Sequence, residues 1–155
     1  MTVGSLLARA APTVTDGVYT EEQATRGRDA YGKHCVRCHL ADLGGDQLAA
    51  PLVGKTFLQR WRGNSLAILF NAIKKTMPSD DPGSAGDEEY ADIISYVLKM
   101  NQFPAGPREL SSNPSELESI TFGNPAAKDG LSIRRERRGS RLTRRFTIAR
   151  KEIRR

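Results

Sequence analysis

One short segment, Cys35-Val36-Arg37-Cys38-His39, combines residue types that can attach and ligate a metal-bearing cofactor. Two thiols three positions apart can each form a thioether bond to one vinyl group of a haem. The histidine that follows can give the iron an axial nitrogen ligand. The chain of 155 residues has 2 cysteines, and both lie in this segment. The spacing therefore predicts a site for one covalently bound haem c with its iron.

Three other interpretations of the two cysteines are open from the sequence alone. A structural zinc site needs four ligands, and the chain offers one further histidine, His34, directly before the first cysteine. A thioredoxin-like redox pair belongs in a βαβ setting, but no strand-rich pattern surrounds this segment. A plain disulfide suits an oxidising compartment. The haem interpretation is favoured because a histidine directly follows the second cysteine.

The elements that must position this motif are predicted to be helices. Thr20 followed by Gln23 has the spacing of a capping box and opens a helix that runs to about Cys35. Apolar residues that recur every three and four positions predict a second helix over Ser65–Lys75 and a third from Asp87 to about Met100. No alternating strand pattern of useful length is present, so the fold class is all-α.

Residues from Tyr19 to Asn101 resemble a class I cytochrome c domain. The resemblance rests on the order of the motif, a later Met-Pro pair and a C-terminal helix. Gly27 and Tyr31 match the family's positions on the N-terminal helix, and Ile93 with Tyr96 match the positions that they touch on the C-terminal helix. The resemblance implies a cytochrome c-like fold of three to five helices around one haem, with extended N- and C-terminal segments.

Met77, directly before Pro78 in a loop between the second and third predicted helices, is the candidate for the second axial ligand. Family members carry their ligand methionine in a similar pair, and His/Met ligation raises the reduction potential of a haem. Met1 is terminal and Met100 lies at a helix end, so both are weaker candidates. His34 is expected to have a surface role, because its place beside the first cysteine disfavours iron ligation.

The resemblance also implies further contacts with the haem. The carbonyl of Pro51 would accept a hydrogen bond from the ring of His39, which would fix the orientation of that ring; a simple turn is the alternative. Trp61 resembles the aromatic residue that lies near a haem propionate, although a core position is equally open. Apolar side chains would line the two faces of the haem, namely Leu52, Leu66, Leu69 and Ile73.

Composition divides the chain into four regions. Residues 1–18 are predicted to be a loosely ordered leader, in which Leu6–Ala11 resembles the end of a truncated signal peptide. Residues 19–102 form the predicted cytochrome c domain. Residues 103–130, rich in Pro, Gly and Ser, predict an extended wrap or linker. Residues 131–155 are a basic tail that we expect to be disordered.

The basic tail dominates the net charge of +6. From Lys128 to Arg155 the chain has 12 Lys and Arg against 3 Asp and Glu, so the rest of the chain is mildly acidic. A solvated extension, a docking arm for an acidic protein or anionic lipid surface, and a non-native segment are the open interpretations. Nucleic acid is not an expected partner of an exported protein. No stretch approaches the roughly 20 apolar residues that a membrane-spanning helix needs.

The predicted function is one-electron transfer by a mono-haem c-type cytochrome with His39 and Met77 as axial ligands, and not catalysis by an enzyme. Its partners would be redox proteins, a dehydrogenase as donor and a terminal oxidase or other acceptor, in the periplasm or elsewhere outside the cytoplasm. The loop after Met77 and residues Gln102–Gly106 resemble parts of quinoprotein dehydrogenase cytochromes. The alternative is therefore a haem c subunit or domain of such a complex. A gas-sensing or peroxidase-like protein would need an open distal face.

Overall fold

The computed structural model describes residues 11–123. The signal-like Leu6–Ala11, apart from its last residue, and the basic tail lie outside this range. Within it there are six α-helices and no strand, which confirms the predicted all-α class for the described residues. The helices are α1 Glu21–His34, α2 Val36–His39, α3 Gly54–Trp61, α4 Leu66–Thr76, α5 Asp87–Met100 and α6 Pro114–Leu117.

Helix α1 begins where the sequence predicts, but its first turn is only half of a capping box. The Thr20 hydroxyl oxygen accepts a hydrogen bond from the backbone N–H of Gln23 at 3.1 Å. The buried side chain of Gln23 turns instead to Leu110, donating to its carbonyl at 2.9 Å and accepting from its N–H at 2.6 Å. A buried amide needs partners for both of its polar atoms, and the backbone of Leu110 supplies them.

Helices α1 and α5 cross so closely at Gly27 that no side chain fits between them. A Cβ atom at Gly27 would overlap the backbone carbonyl of Asp92 and approach the Cβ of Tyr96 to 3.0 Å. Beside the crossing, the ring centroids of Tyr31 and Tyr96 lie 5.5 Å apart, and Ile93 is buried. The predicted contact between the N-terminal and C-terminal helices is confirmed.

Helices α4 and α5 supply much of the core. Helix α5 has the predicted bounds, and α4 starts directly after its predicted first residue, Ser65. The rings of Phe70 on α4 and Tyr90 on α5 meet edge-on at 6.2 Å, and both are buried. Helix α3 was not predicted, because its apolar residues recur over only two turns, which is too short a window for periodicity to separate a helix from a loop.

Residues 103–123, which we call the C-terminal wrap, run along the helices and return to the start of the described chain. The N–H of Leu66 donates to the Ile120 carbonyl at 2.8 Å, and the N–H of Val14 donates to the Thr121 carbonyl at 2.9 Å. Val14 is buried within a 3-10 turn, Val14–Asp16. The expectation of a loosely ordered leader is therefore wrong for residues 11–18. Sequence reasoning could not show this, because the segment is held by Thr121, which is distant in sequence.

The crossing of α1 and α5 predicts opposite effects for two substitutions in one helix. Gly27→Ala should lower the free energy of unfolding by at least about 2 kcal/mol, because the new methyl group meets backbone that cannot move aside. Gly32→Ala, with nothing within 4 Å of the added atom, should raise it by about 0.5–1 kcal/mol through helix propensity. Urea unfolding of the two variants measures both; equal stabilities would contradict the close crossing.

Candidate functional site

The segment from Cys35 to His39 forms one tight helical turn at the end of α1. The N–H of Cys35 donates to the Tyr31 carbonyl at 2.9 Å. The carbonyl of Cys35 accepts from the N–H groups of Cys38 at 3.2 Å and His39 at 2.9 Å. Residues three apart in a helical turn are neighbours on its surface, so the two cysteines lie side by side. Both thiols are free.

The surroundings of these thiols do not suit the redox-pair or zinc interpretations. Burial, with a smaller contribution from the neighbouring Cys38, raises the pKa of the Cys35 thiol to about 11. The described residues also contain no strand, so the βαβ setting of a thioredoxin-like redox pair is absent from this part of the chain. Among residues 11–123, no group of three His, Cys, Asp or Glu side chains is arranged to hold a metal ion. A closed zinc site therefore lacks its ligand set in the described part of the chain.

His39 is buried, with 8% of its surface exposed, and its ring is oriented by one hydrogen bond. Its Nδ1 lies 2.9 Å from the backbone carbonyl oxygen of Ala50. Because a carbonyl oxygen can only accept, Nδ1 carries the proton, and Nε2 keeps a lone pair for a metal. The prediction that the Pro51 carbonyl accepts this bond is wrong by one residue.

The turn before Pro51 explains why Ala50 is the acceptor. The carboxylate of Asp46 accepts from the N–H groups of Leu48 at 2.7 Å and Ala49 at 2.9 Å. These two donors hold the pKa of that carboxyl below its usual range. Proline also confines the residue before it to extended conformations. The turn and the proline together aim the Ala50 carbonyl at His39.

Met77 ends α4, and its backbone is held by three hydrogen bonds. Its N–H donates to the Ile73 carbonyl at 2.8 Å, and its carbonyl accepts from the N–H of Gly83 at 3.3 Å. The hydroxyl of Tyr90 donates to the same carbonyl at 2.8 Å. Sequence reasoning missed this role of Tyr90. An aromatic residue in an apolar helical stripe is typical of a core position, and no sequence signal reveals a bond to a distant backbone carbonyl.

The structure brings the loop after Met77 beside the cysteine motif. The guanidinium of Arg37, inside the motif, donates to the carboxylate of Asp80 at 2.7 Å. His34 lies elsewhere: its Nε2 is 3.6 Å from Glu89 Oε2 on α5. The two candidate iron ligands therefore belong to neighbouring segments, and the other histidine faces a helix.

The other residues that we predicted to contact the haem fall into two groups, half-buried side chains and fully buried ones. Leu52, Trp61 and Ile73 are half-buried and pack against the edge of the core, so they keep apolar surface that a ligand can cover. Leu66 and Leu69 are 0% and 2% exposed. These two have almost no surface left for a haem face and are core residues here, so the predicted haem contact is not supported for them.

Trp61 belongs to an aromatic cluster with Phe57, Phe103 and Phe122. Its ring stacks on Phe122 with centroids 6.5 Å apart and lies 6.3 Å from Phe57. Phe103 and Phe122 meet edge-on at 6.3 Å. The wrap thus supplies part of the packing that holds the tryptophan, and contact of Trp61 with a haem propionate stays a prediction.

Comparison with known families gives the site its identity. Residues 22–97, about half of the chain, match the family model described as cytochrome C oxidase, cbb3-type, subunit III. Residues 22–97 are a c-type cytochrome domain. It is a mono-haem, class I-like domain that transfers electrons and binds haem c covalently. No curated protein and no solved structure matches the chain.

The residues of the cytochrome domain fit the haem that this family binds. Two free thiols lie on one turn, the ring of the adjacent His39 is held through Nδ1 and so leaves Nε2 for a metal, and the same domain has half-buried apolar side chains. These are the donor types that covalent attachment and iron ligation require. In the described part of the chain, every helix is too short or too polar to cross a membrane.

The attachment residues can be tested directly. Replacing Cys35 and Cys38 together with alanine should allow all of the haem to be extracted by acidified acetone, because no thioether bond remains. Either single replacement should leave haem bound through the other sulfur. Haem staining after denaturing electrophoresis reports the covalent fraction, with Val36→Ala as a control within the same turn. Retained haem in the double variant would contradict the assignment.

Proposed function

We propose that the chain is a one-electron carrier whose haem iron is ligated by His39 and Met77. The observation that carries the proposal is the fixed backbone of Met77 in a loop beside the cysteine motif. A thioether in that position is a soft ligand that complements the imidazole of His39 and favours reduced iron. When bound, haem c supplies exchange of one electron between the ferrous and ferric states.

The protein's own residues would hold, orient and shield this group. The two thiols anchor it, and the bond from His39 Nδ1 to the Ala50 carbonyl fixes the ring plane of the histidine. Such a bond also makes the ligand nitrogen more basic. Leu52 and Ile73 would exclude water from the iron. With both axial positions filled, no site remains for a substrate, as a carrier requires.

The carrier is proposed to work outside the cytoplasm, in the periplasm or an equivalent compartment, where c-type cytochrome domains typically reside. Its partners are other redox proteins, and we propose a dehydrogenase as donor and a terminal oxidase as acceptor. The basic residues after Lys128 would give an acidic partner or an anionic lipid surface an additional contact. They lie outside the described residues, so this contact rests on sequence alone.

A second candidate is a haem c subunit of a larger redox complex. The description of the matched family model as an oxidase subunit favours this candidate, as does the resemblance of the loop after Met77 to quinoprotein dehydrogenase cytochromes. Purification of the tagged full chain under mild conditions distinguishes the two. A stoichiometric larger redox protein in the eluate supports the subunit, whereas a monomeric haem protein supports the free carrier.

Replacing Met77 tests the ligation. Met77→Ala should abolish the weak long-wavelength band of the oxidised protein that arises from an iron–sulfur bond. It should also let the reduced protein bind carbon monoxide. The potential should fall by on the order of 100 mV, part of the roughly 0.8 V range that axial ligands control. Met100→Ala, at an exposed methionine, is the matched control and should change none of these properties.

Two outcomes would contradict this proposal. An unchanged spectrum in Met77→Ala would show that this sulfur is not an iron ligand. Carbon monoxide binding by the unaltered reduced protein would indicate an open distal face, as a gas sensor or peroxidase-like protein has.

A further inference from the structure

We propose that Tyr90 is a positioning residue for the sixth iron ligand: its hydroxyl holds the Met77 carbonyl and thereby keeps the thioether at the iron. This inference rests on the proposed ligation by His39 and Met77. The hydroxyl-to-carbonyl distance is 2.8 Å, and Tyr90 is 1% exposed. The donor side chain is therefore shielded from bulk water, and the acceptor residue Met77 is half-buried.

The rest of the Met77 loop is weakly attached to the domain. Between Pro78 and Gly86, one residue of this described segment, Ala85, is buried. The backbone bonds of the loop are short turns, such as Asp81 N–H to the Pro78 carbonyl at 3.1 Å. Segments with few buried apolar contacts open locally at low free-energy cost. The position of the loop therefore depends on the contacts that hold its two ends.

Two ion pairs flank the loop, but both are exposed. The Arg37 and Asp80 side chains are 78% and 59% exposed, and Lys74 and Asp87 are 42% and 49% exposed. Ion pairs in such positions contribute little to stability. The bond from the buried Tyr90 is the stronger attachment, because its rupture leaves the hydroxyl of a buried side chain without this partner.

The ring of Tyr90 is held independently of the hydroxyl. It packs edge-on against Phe70 at 6.2 Å within the interface of α4 and α5. Tyr90→Phe should therefore keep the ring in place and remove only the bond to Met77. The Met77 carbonyl would keep the weaker contact from Gly83 N–H at 3.3 Å.

Entry of an external ligand at the iron measures the strength of this attachment. Met77 must leave before imidazole can bind the oxidised protein, so anything that eases loop opening tightens apparent imidazole binding. A net contribution typical of one hydrogen bond predicts that Tyr90→Phe binds imidazole on the order of fivefold more tightly than the unaltered protein. Its long-wavelength iron–sulfur band should persist without imidazole.

Tyr19→Phe is the matched control. Tyr19 is equally buried, and its hydroxyl donates to the Phe103 carbonyl at 2.6 Å, away from the Met77 loop. It should lose global stability to urea as Tyr90→Phe does, yet bind imidazole like the unaltered protein. Arg37→Ala should have a smaller effect on imidazole binding than Tyr90→Phe, because it removes only the exposed attachment.

The outcomes separate this inference from the proposed ligation. Absence of the iron–sulfur band in the unaltered protein would overturn the ligation itself. With that band present, imidazole affinity of Tyr90→Phe equal to that of Tyr19→Phe would overturn the role of Tyr90 alone. If Tyr90→Phe fails to fold, amide exchange in the unaltered protein decides. Gly83, which shares the Met77 carbonyl, should exchange more slowly than Asp81 and Ser84, and faster exchange would refute the inference.

Discussion

The rest of the structure depends on the backbone contact between α1 and α5 at Gly27. A helix pair that meets backbone to backbone has one permitted separation, because neither chain can yield as a side chain can. Here the carbonyl of Asp92 occupies the space that a Cβ would need. The contact therefore fixes the positions of two parts of the site, one attached to each helix. The cysteine turn begins where α1 ends, and Tyr90, which holds the Met77 carbonyl, lies near the start of α5.

The two proposed axial ligands, His39 and Met77, are supported in the same way, by backbone carbonyls. On one side the Ala50 carbonyl accepts from His39 and so orients the ligand itself. On the other side the Met77 carbonyl accepts from a buried hydroxyl, which fixes the ligand's backbone. Both supports consist of uncharged groups, a backbone carbonyl in each case and the Tyr90 hydroxyl in one of them.

The C-terminal wrap covers parts of the core that residues 22–97, the segment matched by the family model, leave uncovered. It pairs its backbone with the buried amide of Gln23, with Leu66 at the start of α4 and with Val14. It also stacks Phe122 against Trp61. Small domains bury a limited fraction of their surface, and an added segment with its own aromatic residue increases that fraction. The folded unit is therefore longer than residues 22–97 at both ends.

The sequence alone determined the attachment motif, the helical class and the bounds of α5, because covalent chemistry and helical periodicity are local properties. The pairing of Gly27 with the C-terminal helix was implied by the resemblance to class I cytochromes c. The sequence did not determine which backbone carbonyl orients His39, because the choice between Ala50 and Pro51 depends on how the turn at Asp46 folds. The partner of Gln23 and the burial of Leu66 were also decided by tertiary contacts. So was the role of Tyr90, because its hydroxyl bonds to a backbone atom across a loop. Backbone carbonyls are identical at every position, and only the folded chain selects which of them is used.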